Sequence, residues 1–128
     1  MDIGGLDLRA TASVGAEMVL RHPGTGDDLG VRLKVQGYDS EAVEAAAREV
    51  SREAMKAKTR EDPDVLIRRR RVAQARASLM GVEGATGETT TVDQYRELMG
   101  QPGFIWIIEQ IEAFAGDRAS FFKSAGTP

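Results

Sequence analysis

The chain has 128 residues, with 17 basic and 20 acidic side chains, a formal net charge of -3 at pH 7 and no cysteine. This composition excludes a disulfide framework, a thiolate metal site and a cysteine nucleophile, and it argues against a dedicated nucleic-acid binder, whose affinity comes from replacing phosphate counterions. With 41% hydrophobic but only 5% aromatic residues, one domain with a core of alanine, valine, leucine and isoleucine is expected.

The start, Met1-Asp2-Ile3-Gly4-Gly5, has neither the basic residues nor the apolar run of a signal peptide, and no stretch reaches about 18 apolar residues. A soluble cytoplasmic protein without membrane contact is expected. Residues 1–15 read as a flexible N-terminal arm anchored by Leu6 and Leu8, ahead of a single domain over 16–123.

A β-hairpin is predicted over 17–36. Val31, Leu33 and Val35 alternate with Arg32, Lys34 and Gln36, and the turn formers of Pro23 to Gly30 separate this strand from Glu17 to His22. The glycines at 24, 26 and 30 are not a phosphate cradle, because no Lys-Ser/Thr follows them, two aspartates interrupt them and a strand lies beyond.

A first helix, about 41–59, is capped by Asp39 or Ser40, and Val43, Ala46, Ala47, Val50, Ala54 and Ala57 form its apolar side. A second, about 63–81, starts with Pro63 behind an Asp62 cap. Its stripe pairs Val65, Val72 and Leu79 with Leu66, Ala73 and Met80, but Arg69 and Arg76 stand at the centre of that stripe. After a loop over 81–90, Thr91-Val92-Asp93-Gln94 has the spacing of a capping box and opens a helix over 92–99 that Gly100 and Pro102 stop.

The last helix, 103–122, carries the only tryptophan and all four phenylalanines, and breaks or bends near Gly116-Asp117. At about 100° per residue, Phe104, Ile107, Ile108, Ile111, Phe114, Ala115 and Phe122 share one face, and Ile105 and Trp106 fall off it. Residues 124–128 read as a tail. The expected fold is mainly α (α+β), an N-terminal antiparallel β-hairpin followed by a bundle of about four helices.

Residues able to do chemistry are sparse. His22 is the only histidine and sits at a strand end, so it lacks the partners of a metal site or a general base. The carboxylate pairs Glu49/Glu53 and Glu109/Glu112 lie on polar helix faces, the first among Arg48, Arg52 and Lys56, where i, i+4 ion pairing accounts for them. No catalytic, cofactor-binding or metal-ligating residue is identified, no cofactor is expected, and the protein reads as a non-enzyme.

The run Arg68-Arg69-Arg70-Arg71 points in nearly all directions around a helix, so it makes no single phosphate-binding face. Arg69 and Arg76 need a narrower account. Either their stems cross apolar surface with the heads reaching water, or they pair with acids of another helix or of a partner. Ile105 and Trp106 either pack on a neighbouring element or meet a partner. These four are the candidate partner-binding residues.

The spelling of the C-terminal half, Tyr95-Arg96-Glu97-Leu98, Pro102, Trp106-Ile107-x-Glu109-Gln110-Ile111 and Asp117-Arg118-Ala119-Ser120-Phe121, resembles the tail assembly chaperones of long-tailed bacteriophages and prophages. His22-Pro23-Gly24-Thr25-Gly26 leading to Gly30-Val31-Arg32-Leu33 resembles that family's N-terminal hairpin, Asp39-Ser40 its first helix start, and Gly81-Val82-Glu83-Gly84 its Gly-Trp-Glu-Gly junction. The likeness covers roughly residues 16–122 and departs at Val82, where the family often has tryptophan. It implies a small protein of the host bacterial cytoplasm, absent from the mature virion. Such a protein binds the tape measure protein and keeps it soluble until tube subunits polymerise around it. A frameshifted, extended form would recruit the major tail tube protein, and self-association is compatible with the class. The competing reading is a small helical DNA-associated or regulatory phage protein that uses the arginine-rich helix.

Overall fold

The computed structural model describes residues 3–84 and 91–124. After a 3-10 turn at Ile3–Leu6 come α1 (Leu8–Val14), β1 (Ala16–Arg21), β2 (Asp28–Val35), α2 (Glu41–Lys56), α3 (Pro63–Ser78), β3 (Leu79–Glu83), α4 (Val92–Met99), α5 (Ile105–Ala115) and α6 (Ala119–Ser124), with a second 3-10 turn at Pro102–Phe104. The architecture is mainly α with α+β character. The centre of the expected 81–90 loop, 85–90, and residues 125–128 of the expected tail lie outside the described residues.

The hairpin pairs as its alternation predicts, Leu33 opposite Met18 and Val31 opposite Leu20. It is not a two-stranded element, however. Strand β3 pairs antiparallel with the other side of β2, Lys34 opposite Gly81 and Arg32 opposite Glu83, and the sheet order is β1-β2-β3. Helical periodicity carries the second helix to residue 81, but the chain leaves the helix after Ser78. The Gln36 amide takes the Ser78 carbonyl at 2.8 Å, and Leu79 turns extended with φ -70 and ψ 121. Tertiary pairing with an otherwise open strand edge overrides the local helix signal.

The helix count is also corrected, from about four to six among the described residues. In the 1–15 segment, Asp7 Oδ1 accepts the amides of Arg9 and Ala10 and starts α1, and Ala12 docks it, 4% exposed. A Cβ at Gly37 would stand 2.9 Å from the Ala12 Cβ and 3.1 Å from Phe121, so only glycine lets α1, the β2 exit and α6 meet this closely. The predicted 103–122 helix divides at Gly116, and Asp117 Oδ1 accepts the Ala119 amide at 3.1 Å at the start of α6.

The remaining starts follow local chemistry. Ser40 Oγ accepts the Val43 amide at the head of α2, while Asp39 holds Arg118, just before α6, through two bonds of 2.8 and 3.2 Å. Asp62 caps α3 with Pro63 in the first turn. Thr91 and Gln94 form both halves of the capping box on α4.

The core lies between the inner face of the sheet and α5. Leu20, Val31, Leu33 and Val35 meet Ile107, Ile108, Ile111 and Ala115, and Ala75, Leu79, Tyr95 and Met99 close the far side. Because α5 has the sheet on one side and α3 with α4 on another, more than one stripe of it is covered. Ile105 and Trp106, off the predicted face, are half-buried and packed against this core, as are Phe104 and Phe114. The outer face of the sheet is charged, with Glu17 opposite Lys34 and Arg32 opposite Glu83, pairs that favour the observed register.

Candidate functional site

Helix α2 packs on α3 and touches the other elements only slightly. Its inward side is Val43, Ala47 and Val50, one residue per turn, and none of these belongs to the main core. The two helices therefore form a hairpin that stands on the rest of the molecule through α3. Its apolar residues are incompletely covered. Met55 is 88% exposed, Val65 50% and Ile67 56%.

Two hollows open on this hairpin. One, about 850 Å³, lies toward its tip and is lined by the apolar Ala54, Met55, Ala57, Pro63 and Leu66 and by Lys58, Arg60 and Glu61. The other, about 410 Å³, is bounded by Val50 of α2, by Arg69, Val72 and Arg76 of α3, and by Gly100. Arg69 and Arg76 thus share one hollow, and Ile105 and Trp106 are not among its lining residues.

The two arginines at stripe centre have separate explanations. Arg69 spans the hairpin, donating to Glu53 of α2 at 2.8 Å and to Glu61 of the connecting turn. It pairs with acids of its own fold, one of the alternatives open from sequence. Arg76 lies against Gly100, where a Cβ would overlap its guanidinium, and its Nε donates to the Arg96 carbonyl at 2.8 Å. Arg96 returns the interaction, donating from Nε to the Arg76 carbonyl at 3.2 Å and from Nη2 to the Leu79 carbonyl at 2.9 Å. Each arginine so satisfies carbonyls at the C-terminal end of the other's helix, where a cation also complements the helix dipole.

Arg71 leaves the hairpin for the core side. It holds Glu112 of α5 in a two-point ion pair, 2.9 and 2.7 Å, which pushes its guanidinium above its ordinary range. Beside this pair the Tyr38 phenol is pushed up, chiefly by burial and then by the Glu112 carboxylate. Its hydroxyl oxygen is buried without a hydrogen-bond partner among the described residues. Of the four consecutive arginines, Arg69 and Arg71 are neutralised inside the fold, and among the described residues Arg68 and Arg70 have no ion pair.

His22 serves its turn, accepting the amides of Gly24 and Thr25 at Nδ1, 3.0 and 3.1 Å. Among the described residues no group of three or more His, Asp or Glu side chains is placed to hold a metal ion, and no helix is long and apolar enough to cross a membrane.

Sequence reasoning reached Arg69 and Arg76 but missed Met55, Leu66 and Ile67 as hairpin surface. The signal was present in two of them, since Met55 and Ile67 lie off the apolar stripes of their helices. Residues that spell the C-terminal resemblance hold joints between elements: Arg96 joins α4 to α3, Gln110 joins α5 to β1, and Arg118, just before α6, holds Asp39 ahead of α2. Comparison with protein-family models, curated proteins and solved structures finds no match for the chain.

Proposed function

We propose that this chain is a non-enzymatic tail assembly chaperone of a long-tailed bacteriophage or prophage, which binds the tape measure protein in the host cytoplasm and keeps it soluble until the tail tube forms. The observation that carries the reading is the α2–α3 hairpin, whose hollow near the tip is lined by Ala54, Met55, Ala57, Pro63 and Leu66 together with Lys58, Arg60 and Glu61, and which exposes Val65 and Ile67 on other sides of α3. An amphipathic helix of a long helical client lays its apolar face into a surface of this kind, and covering that face prevents the client from self-associating. The spelling over residues 16–122 supports the same class.

In this reading Arg69 and Arg76 line the client side of the hairpin, and Ile105 and Trp106 contribute their uncovered edges as a secondary contact. Recruitment of tail tube protein by a frameshifted form, self-association and absence from the virion belong to the same proposal. The test is co-expression with the long helical product of the neighbouring reading frame. The wild-type chain is expected to raise the soluble fraction of that product. The Met55→Asp variant, altered at a side chain that contributes almost nothing to the core, is expected to fold normally and solubilise less. An unchanged insoluble fraction with the wild-type chain would overturn the proposal.

The DNA-associated alternative is weakened by the internal pairing of Arg69 and Arg71, which leaves two neighbouring guanidiniums, Arg68 and Arg70, on a protein of net charge -3. Salt-dependent retention on DNA would restore it.

A further inference from the structure

Strand β1 lies at the margin of the sheet. The His22 amide donates across the hairpin to the Asp27 carbonyl at 2.8 Å; the register shifts between Leu20 and Arg21, but the skipped residues, Leu29 and Gly30, belong to β2, so β1 alternates without interruption and its even-numbered residues aim their backbone groups at β2. Arg21 turns both of its groups the other way. Its amide donates to Gln110 Oε1 at 2.9 Å, and its carbonyl accepts from Gln110 Nε2 at 2.8 Å. Strand alternation places the N–H and C=O of Val19 and Glu17 on that same outer side, and among the described residues nothing pairs with them.

The primary amide of Gln110 therefore does for Arg21 what the peptide group of a fourth strand would do. Beyond it no backbone group of the described residues pairs with the edge, although α6 approaches β1 and its Ser120 also lines the space there. A groove of about 670 Å³ runs between Glu17, Val19 and Arg21 on one side and Ala113, Phe114 and Asp117 on the other.

We propose that this groove binds an extended peptide segment, which pairs through its backbone with Val19 and Glu17 and continues the sheet from the position Gln110 has started. Its chemistry is set by the walls. A residue opposite Met18 faces the core side, beside Ala113 and Phe114, and must be small or aliphatic. Arg21 also lines the groove but turns its guanidinium to the Gly26 carbonyl at 3.3 Å, and the carboxylates of Glu17 and Asp117 along the rest of it select lysine or arginine in the segment. A second copy joined through the same edge would bring its own α5 up against the first, a match that a single strand does not require. This surface is separate from the α2–α3 hairpin and does not depend on the chaperone reading.

The probe is the peptide acetyl-Thr-Lys-Val-Thr-Val-Thr-amide, titrated to millimolar concentration into the full-length, isotope-labelled chain and followed by amide NMR. Two further versions carry N-methyl groups on alternate residues, one on the odd and one on the even positions, with all side chains unchanged. The unmethylated peptide is expected to move the amide resonances of Glu17 and Val19 and to slow their hydrogen exchange. One methylated version is expected to lose about tenfold or more in affinity, because its bonding amides are blocked, and the other to bind as before. Since the protein carries no substitution, its folding is not in question. The proposal is overturned if the peptide leaves Glu17 and Val19 unmoved, if both methylated versions bind equally, or if the same resonances move with protein concentration alone, which would assign the edge to a second copy.

Discussion

Arg76 and Arg96 cap each other's helices, and this exchange explains a residue that looks misplaced in the sequence. An arginine at the centre of an apolar stripe is tolerated because its head leaves the stripe to meet carbonyls at the end of α4. Arg76→Ala is expected to destabilise the fold by about 1 kcal/mol, a modest value because the site is exposed. Gly100→Ala alone should also destabilise, since the new methyl displaces the Arg76 guanidinium. In the Arg76→Ala background the same change should become neutral or stabilising, because Gly100 has ordinary helical dihedrals, φ -77 and ψ -11. Urea unfolding of the four proteins measures this coupling, and additive effects would refute the packing account. By contrast, Leu33→Ala removes a fully buried side chain from the contact between the sheet and α5. It should cost about 2–5 kcal/mol in the same assay.

Among the elements, those whose starts are written locally were legible. Asp62-Pro63 and Thr91-x-x-Gln94 each carry their cap within four residues and form it, and of the two candidates ahead of α2, Asp39 and Ser40, Ser40 is the cap. Thr91→Ala should cost about 1 kcal/mol in urea unfolding, with Gln94 losing its reciprocal bond at the same time. Strand β3 was not legible. Leu79 and Met80 continue a helical pattern and Gly81 to Glu83 read as loop, and what makes Leu79 to Glu83 a strand is the unpaired side of β2, contributed by residues far away in the chain. The candidate site divides in the same manner. Arg69 could be singled out because a guanidinium interrupts an apolar stripe. Its partners Glu53 and Glu61 could not be chosen from among many acids until α2 and α3 were placed side by side. Gln110 carried no sign of its bond to Arg21, because it contacts a backbone, and a backbone leaves no mark in sequence.

The whole molecule comprises two units of unequal support. The sheet and α5 enclose the main core, whereas α2 rests on α3 and on the ion pairs of Arg69. The α2 amides are expected to exchange with solvent at a lower opening free energy than those of β2 and α5, and hydrogen exchange under native conditions reads this directly. Equal protection in all three would show a single cooperative unit. Acid removes the contribution of two exposed ion pairs. Asp28 is held below its ordinary range by Arg32 and the Gly30 amide, and Glu41 by Arg48. Their contribution is therefore present above the ordinary carboxylate values of about 4 and is lost as the pH falls below them. The stability gap between wild type and Arg32→Ala should narrow over that window in urea melts taken from pH 7 to pH 3, and a constant gap would contradict it.

The central position of β2 has a consequence for how the chain is made. Its neighbour β1 precedes it, but β3 follows only after both helices of the hairpin. During synthesis the first two strands emerge as an isolated ribbon, an arrangement of marginal stability in water. The sheet cannot close until Leu79 to Glu83 has left the ribosome, and the α5 helix that covers its inner face comes later still. The nascent chain thus passes through a stage in which α2 and α3 are already complete while the aliphatic face of the sheet is bare.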